Sequence, residues 1–108
     1  MEEKLVRDNI SEFSELKADG RKFRKAPIAE QLYFLSSKIK EEACEVVDAM
    51  YNETSAKVIE ELADVLEVME AICVWRGITM EEVRKIQEQK RNKKGGFNTF
   101  TVMELTNE

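Results

Sequence analysis

The amino-acid sequence predicts an all-α protein built on a helical hairpin, with shorter accessory helices beside it. Two long segments, residues 28–51 and 56–76, carry apolar residues at steps of three and four, the spacing of an amphipathic helix. The chain has one proline and four glycines, and none of them interrupts either segment. Its 43% hydrophobic and 36% charged residues are typical of a folded, helix-rich protein. We assign residues 1–108 to a single domain, because this length matches the common domain size.

One short helix is expected before the hairpin. Residues 4–10 form a mixed segment, and residues 11–18 predict a helix whose start Asn9 or Ser11 can cap. Gly20 follows at the position where a left-handed residue commonly ends a helix. Residues 21–26 form a basic connector. Pro27 then suits the first turn of the next helix, because an N–H at that point would have no partner.

The first long helix, residues 28–51, has an apolar arc beside a stripe that contains charged residues. The arc expected to face the core consists of Ile28, Leu32, Leu35, Ile39, Ala43, Val46 and Met50. Lys38, Glu42, Glu45 and Ala49 form the adjoining stripe, and Glu41 lies slightly farther round. Glu42 and Glu45 are therefore expected at the border of the buried seam.

The second long helix, residues 56–76, follows turn and cap residues at positions 52–55. Its wide apolar face consists of Val58, Ile59, Leu62, Val65, Leu66, Met69, Ile72 and Cys73. On a helical wheel Glu61 lies inside this apolar sector and Asp64 lies at its edge. A carboxylate in such a position is costly unless it is paired or bound to a metal. Glu60, Glu67 and Glu70 fall on the polar side, where solvated charge is expected.

A third, more polar helix is predicted after the hairpin. Gly77 ends the second helix, and the sequence from Thr79 to Glu82 has the capping-box pattern that starts the next. This helix, residues 80–92, ends in basic residues and is stopped by the glycines at 95–96. Residues 98–105 alternate weakly and are expected to form an extended tail.

Charge and residue types exclude several classes of function. A formal net charge of −5 disfavours binding to nucleic-acid polymers, which requires a basic surface. The chain has no histidine, which excludes Ser-His and Cys-His catalysis and histidine metal ligation. The first residues lack the apolar run of a signal peptide, and no segment approaches the roughly 20 apolar residues of a membrane span. We therefore expect a cytoplasmic protein without membrane contact, in which Cys44 and Cys73 are reduced.

Four carboxylates are candidates for a divalent-metal site: Glu42, Glu45, Glu61 and Asp64. The two in each helix stand three residues apart and so share a face, and a hairpin lets the two pairs converge. Like charges held together repel unless a cation lies between them. Oxygen ligands without Cys or His suit Mg²⁺, with Mn²⁺ as the alternative, and Mg²⁺ commonly binds substrate phosphates. Solvated helix faces are the competing interpretation, since glutamate-rich helices are common.

These residues resemble the signature of the all-α NTP pyrophosphohydrolases, the superfamily that includes MazG, dimeric dUTPases and phosphoribosyl-ATP pyrophosphohydrolase. The family pattern K-x-x-E-E-x-x-E, followed after a spacer by E-x-x-D, is matched here by residues 38–45 and 61–64. Residues 4–10, 60–68 and 93–97 are similar to a small MazG-like subgroup that is regarded as house-cleaning enzymes. The resemblance covers nearly the whole chain. The short basic connector at residues 21–26 departs from it, because relatives often carry a longer hydrophobic segment there.

The resemblance implies a Mg²⁺-dependent enzyme that cleaves a nucleoside triphosphate between the α and β phosphates, giving a monophosphate and pyrophosphate. It implies four metal ligands: Glu42, Glu45, Glu61 and Asp64. Glu41 or another carboxylate would orient or deprotonate the attacking water, and Lys38 would contact phosphate in the catalytic site. Further substrate contacts are expected from Arg7, Lys90, Arg91, Lys93 and Lys94, although Arg7 serves equally well to tie down the N-terminal segment.

The sequence also predicts an assembly of more than one chain, and it leaves two alternative functions open. The apolar faces of the long helices are wider than one partner helix covers, so we expect a homodimer or a higher homo-oligomer that completes a four-helix bundle. Phosphoribosyl-ATP hydrolysis in histidine biosynthesis is an alternative with the same chemistry. A catalytically silent dimerisation module is the alternative from another class, and the presence of all four candidate ligands argues against it.

Overall fold

The regular structure of the described chain is helical. The structure is a computed structural model and describes residues 3–12, 19–52 and 54–106. It contains the helices α1 (Ile28–Asn52), α2 (Ser55–Arg76) and α3 (Met80–Lys94), with a short 3₁₀ helix at Asp8–Glu12. No β-strand occurs in the described ranges. The predicted all-α class is thus confirmed, and α1 and α2 start and end within one residue of the predicted bounds.

The N-terminal part of the chain lies against the start of α1. Arg24 donates hydrogen bonds to Glu3 at 2.8 Å and to Glu30 at 2.8 Å, and its guanidinium lies over the ring of Phe34. The hydrogen bond from Arg24 is the main cause that holds the pKa of Glu3 below its usual value. The helix predicted over residues 11–18 falls largely on residues 13–18, outside the described ranges. Gly20 has the positive φ, 76°, that its predicted position requires.

Local capping fixes the ends of α2. Thr54 is its N-cap in extended conformation, and the Thr54 side chain accepts a hydrogen bond from the backbone N–H of Lys57. Gly77 ends the helix with φ 75°, a left-handed conformation that costs a residue with a Cβ about 1–2 kcal/mol. Only two residues separate Asn52 from Ser55, and α2 packs back along α1, which forms the predicted hairpin.

A complete capping box starts α3. The Thr79 side chain accepts from the N–H of Glu82, while the Glu82 carboxylate accepts from the N–H of Thr79. The sulfur atoms of Met80 and Cys73 lie 3.6 Å apart where α3 meets the end of α2. The rest of α3 and residues 95–106 are largely exposed along their length.

The core of the hairpin is a single seam between α1 and α2. The buried apolar side chains of the described helices are Phe34, Leu35, Ala49, Val68 and Cys73, and Cys73 lies where α2 meets α3. Two buried carboxylates, Glu42 and Glu61, lie in the same seam.

The predicted apolar arc of α1 is only partly buried, and this differs from the sequence-based expectation. Leu32 and Met50 on α1, and Ile59, Leu62 and Leu66 on α2, are exposed. The seam consists of one side of this arc, where Leu35 is buried and Ile39 and Val46 are partly buried, together with Glu42 and Ala49 of the neighbouring stripe. Two helices that pack on each other cover one stripe each, so a second apolar stripe stays uncovered.

The described helices do not meet the requirements of a transmembrane segment. None of those in residues 3–12, 19–52 and 54–106 combines the length and the apolar content needed to cross a bilayer.

Candidate metal centre

Three carboxylates from two helices converge at the hairpin seam. Glu42 of α1 and Glu61 and Asp64 of α2 each place one oxygen so that all three atoms lie within 4.8 Å of one another. Glu42 is 8% exposed and Glu61 is 6% exposed, whereas Asp64 is half-buried. The sequence-based expectation that Glu61 lies among apolar residues, with Asp64 at the edge, agrees with this burial.

The helical spacing explains how the group forms. Residues three apart lie on neighbouring points of one helix face, so Glu61 and Asp64 project toward the same side of α2. The hairpin then brings the stripe of α1 that contains Glu42 opposite them. The three carboxylates therefore converge because of their positions on the two helices and because the hairpin brings those helices together.

Each of the three carboxylates has a cationic partner. The Lys38 ammonium lies 3.2 Å from Glu42, the Lys57 ammonium lies 3.1 Å from Glu61, and the Arg7 guanidinium lies 2.6 Å from Asp64. Lys38 and Lys57 lie four residues from their partners on the same helix, the spacing at which ion pairs form. Arg7 reaches Asp64 from 57 residues away. These three cations reduce the repulsion among the carboxylates.

Lys38 links the group to Glu41. Its ammonium lies 3.2 Å from Glu41 and 3.2 Å from Glu42, and its side chain is largely shielded. Burial alone would lower the pKa of Lys38, but its hydrogen bonds to Glu42 and Glu41 outweigh that effect, and the pKa is raised. Lys38 is therefore a firmly charged ammonium beside the carboxylates at neutral pH.

The donor set fits a hard divalent cation. The group offers carboxylate oxygens alone, which Mg²⁺ and Mn²⁺ prefer, and holds two of the three in buried positions. Two apolar depressions lie elsewhere, at the junction of α2 and α3, and are lined by Ile78 and Val83 among others. No carboxylate of the group lines them, so their chemistry is unrelated to it.

The predicted site residues separate into two sets. Glu42, Glu61 and Asp64 lie together, with Lys38, Glu41 and Arg7 around them. Glu45 is exposed and is not part of the group, so its role as a ligand stays a prediction. The basic residues of α3 are exposed, and none of the ion pairs found among the described residues joins them to the group: Lys90, Arg91, Lys93 and Lys94.

Two contacts of the site were not predicted from the sequence. Lys57 pairs with Glu61, and its spacing of four residues was the signal that could have identified it. Glu67, interpreted only as a solvated charge, lies 3.8 Å from Arg7. No local pattern links Glu67 to Arg7, because the two belong to distant parts of the chain.

Comparison with known proteins gives a family match. A family model described as phosphoribosyl-ATP pyrophosphohydrolase matches residues 6–91, which include all three clustered carboxylates and all three of their cations. Neither the curated proteins nor the solved structures give a significant match.

Proposed function

The chain belongs to the phosphoribosyl-ATP pyrophosphohydrolase family, in the MazG-like all-α NTP pyrophosphohydrolase superfamily, and from this premise we propose that it cleaves the α–β phosphoanhydride bond of a nucleotide. Members of this family are metal-dependent hydrolases that act on phosphoanhydride bonds. The proposed products are a nucleoside monophosphate, or its phosphoribosyl form, and pyrophosphate.

The observation that carries the proposal is the buried convergence of Glu42 and Glu61 with Asp64. Burying ionised carboxylates is unfavourable unless they are paired or bind a metal. The Arg7 side chain is 56% exposed and that of Asp64 is 39% exposed, so Arg7 can move away at little cost. A solvated helix face would not place Glu61 in the seam, so a catalytic site accounts for the arrangement better than a silent dimerisation module does.

The proposed cofactor is Mg²⁺, with Mn²⁺ as the alternative ion. Glu42, Glu61 and Asp64 are its proposed ligands, and Glu45, one helical turn after Glu42, is the proposed fourth. When bound, such an ion neutralises phosphate charge and lowers the pKa of a water molecule.

The remaining proposed steps belong to this chain's own side chains. Lys38 donates hydrogen bonds to phosphate oxygens, since its firmly charged ammonium lies beside the ligand group. Glu41, held 3.2 Å from Lys38, orients the attacking water and accepts its proton. Arg7 contributes a planar guanidinium suited to bidentate contact with phosphate.

A second copy of the chain completes the proposed assembly. The surface of 10,025 Å² exceeds the about 6,200 Å² expected for a compact monomer of this mass. Exposed apolar residues on both helices of the hairpin would be covered in a four-helix bundle. We propose that pyrophosphate is bound in this assembly by the basic residues of α3: Lys90, Arg91, Lys93 and Lys94.

Two substrate classes fit this chemistry. The first is a set of nucleoside triphosphates outside the standard DNA and RNA precursors, which corresponds to a house-cleaning enzyme. The second is phosphoribosyl-ATP in histidine biosynthesis, the substrate that the description of the matching family names. Both substrates present the same triphosphate to the metal, so the site residues do not distinguish them.

A substrate panel separates the two. The kcat/KM values for standard nucleoside triphosphates, base-modified triphosphates and phosphoribosyl-ATP are measured with Mg²⁺ at equal enzyme concentration. A kcat/KM at least about 100-fold higher for phosphoribosyl-ATP supports the biosynthetic function. A site with polar contacts to the additional ribose phosphate discriminates by this much against substrates that lack it. A preference for base-modified triphosphates supports house-cleaning. If no substrate in the panel is hydrolysed, the catalytic proposal is rejected in favour of the silent module.

A further inference from the structure

Arg7 is the only one of the three cations at the carboxylate group that comes from outside the hairpin. Its guanidinium donates a hydrogen bond to Asp64 at 2.6 Å and lies 3.8 Å from Glu67, one turn farther along α2. Lys38 and Lys57 are attached to the same helices as the carboxylates they contact. The Arg7 contact therefore joins a separate segment of the chain to the site.

A divalent ion and the Arg7 guanidinium compete for the same carboxylate. Asp64 is one of the three residues whose oxygens converge, and Arg7 already donates to an oxygen of that carboxylate. An ion held by Glu42, Glu61 and Asp64 would face a guanidinium of like charge at close range. Like charges repel at such distances, so an ion bound to Asp64 weakens the hydrogen bond between Arg7 and Asp64.

We infer that Arg7 exchanges partners when the metal binds. In the metal-free protein Arg7 neutralises Asp64. On metal binding it leaves Asp64, keeps its second partner Glu67, and directs its donors to the phosphates of the nucleotide. The inference rests on the proposed metal site. In it, Arg7 couples metal binding to nucleotide binding.

The surrounding contacts permit this exchange without unfolding the N-terminal segment. Glu3 is held by Arg24, which is itself fixed by Glu30 and the ring of Phe34. The backbone N–H of Ile10 donates to the carbonyl of Arg7 and closes the turn that starts the 3₁₀ helix. The Arg7 side chain is 56% exposed, so it can rotate between Asp64 and Glu67 while the backbone stays in place.

The first arm of the test measures metal binding without nucleotide. Mn²⁺ affinity is determined by electron paramagnetic resonance for the wild type, Arg7→Gln and the control Arg24→Gln, which breaks a different ion pair. Removal of the competing cation should tighten Mn²⁺ binding by about fivefold in Arg7→Gln, the equivalent of one exposed ion pair. Arg24→Gln should bind like the wild type. Circular dichroism verifies that all three proteins keep their helicity.

The second arm measures nucleotide binding at saturating Mn²⁺, using an α,β-methylene triphosphate analogue that is not cleaved. Arg7→Gln should bind this analogue about fivefold more weakly, because a charge-assisted contact to phosphate is lost. Arg7→Lys keeps the charge but lacks the planar guanidinium, so its affinity for the analogue should lie between those of the wild type and Arg7→Gln. Opposite signs in the two arms are the signature of a partner exchange, whereas a purely structural role would weaken both.

The outcomes separate this inference from the proposed function. If the wild type binds Mn²⁺ and Arg7→Gln binds it equally or more weakly, Arg7 is not a competitor and the inference is overturned while the metal site stands. Unchanged affinity of Arg7→Gln for the analogue would overturn the inference as well. If the wild type binds no Mn²⁺, the proposed metal site itself is rejected, and the inference falls with it.

Discussion

At the scale of single residues, Glu61 is the strongest support for the proposed metal site. It is 6% exposed, lies with two other carboxylates within 4.8 Å, and has a cationic partner whose own side chain is 45% exposed. We expect such a carboxylate to lower the stability of the metal-free protein, because burial and two neighbouring carboxylates disfavour its negative charge. The proposed cation site would offset that cost.

Replacing Glu61 should therefore stabilise the metal-free protein and abolish metal binding. In EDTA, Glu61→Gln should raise the free energy of unfolding by about 1 kcal/mol, a size typical of changes that relieve strain at a functional site. Mn²⁺ affinity should fall at least about 100-fold, more than the loss caused by altering a residue that only supports a ligand. Urea denaturation and Mn²⁺ titration provide the two values.

Glu60→Gln is the matched control, since Glu60 is the adjacent residue on α2 and is exposed. It should change neither quantity appreciably. A loss of stability in Glu61→Gln under EDTA would show that Glu61 serves the fold through its pair with Lys57.

Glu45 tests the proposed fourth ligand. It is exposed, but it lies three residues after Glu42 on the same helix, about 4.5 Å along the axis. Glu45→Gln should lower kcat at least about 100-fold while the far-ultraviolet circular dichroism stays unchanged. Asp48→Asn, a further three residues along α1 and also exposed, should retain activity. Undiminished turnover in Glu45→Gln would remove it from the ligand set.

At the scale of the elements, the helix ends were predictable because they depend on local chemistry. The capping box at Thr79 and the left-handed Gly77 are short-range signals, and both occur where the sequence indicates them. The position of Glu61 in the seam was predictable for the same reason, since helical periodicity alone determines which residues share a face with it.

Other features depend on contacts that no local pattern contains. The α1 arc was predicted from hydrophobicity, yet Leu32 and Met50 are exposed, because the hairpin seam covers one side of the arc together with the neighbouring stripe. Two apolar stripes compete for one partner helix, and periodicity does not rank them. The contact of Arg7 with Asp64 spans 57 residues, which places it beyond any spacing argument.

Gly77 offers a direct test of the element-level account. Gly77→Ala forces a residue with a Cβ into φ 75° and should lower the free energy of unfolding by about 1 kcal/mol. Gly96→Ala is the control, because a Cβ there meets no atom within 4 Å and the backbone is outside the positive-φ region. Both values come from urea denaturation at one protein concentration. Equal effects for the two variants would contradict the left-handed cap as the cause.

At the scale of the whole molecule, a single chain is more open than a compact domain of its length, which favours the proposed dimer. Its radius of gyration is 18.0 Å, against about 13 Å for a compact domain of this length. Its uncovered apolar stripe includes Ile59, Leu62 and Leu66 on α2, which follow one another at helical spacing. A dimer interface of the usual size, about 1,200–2,000 Å² in total, would cover this stripe.

Sedimentation equilibrium tests the proposed dimer. The wild type should sediment at twice the chain mass of 12.5 kDa, or at a multiple of that. Leu62→Glu should shift it to the monomer, because a charge would then be buried in the interface. Val102→Glu adds the same charge to the exposed tail and should leave the assembly intact. A wild type that sediments as a monomer at all concentrations would contradict the proposal.

The most direct test of the central claim, α–β cleavage at the carboxylate group, is product identification by ³¹P NMR. The wild type with Mg²⁺ and its preferred nucleotide should release pyrophosphate and a monophosphate in equal amounts. EDTA should abolish this release, Glu61→Gln should lower it at least about 100-fold, and Glu60→Gln should preserve it. Orthophosphate as the sole first product, or full activity in Glu61→Gln, would contradict the account.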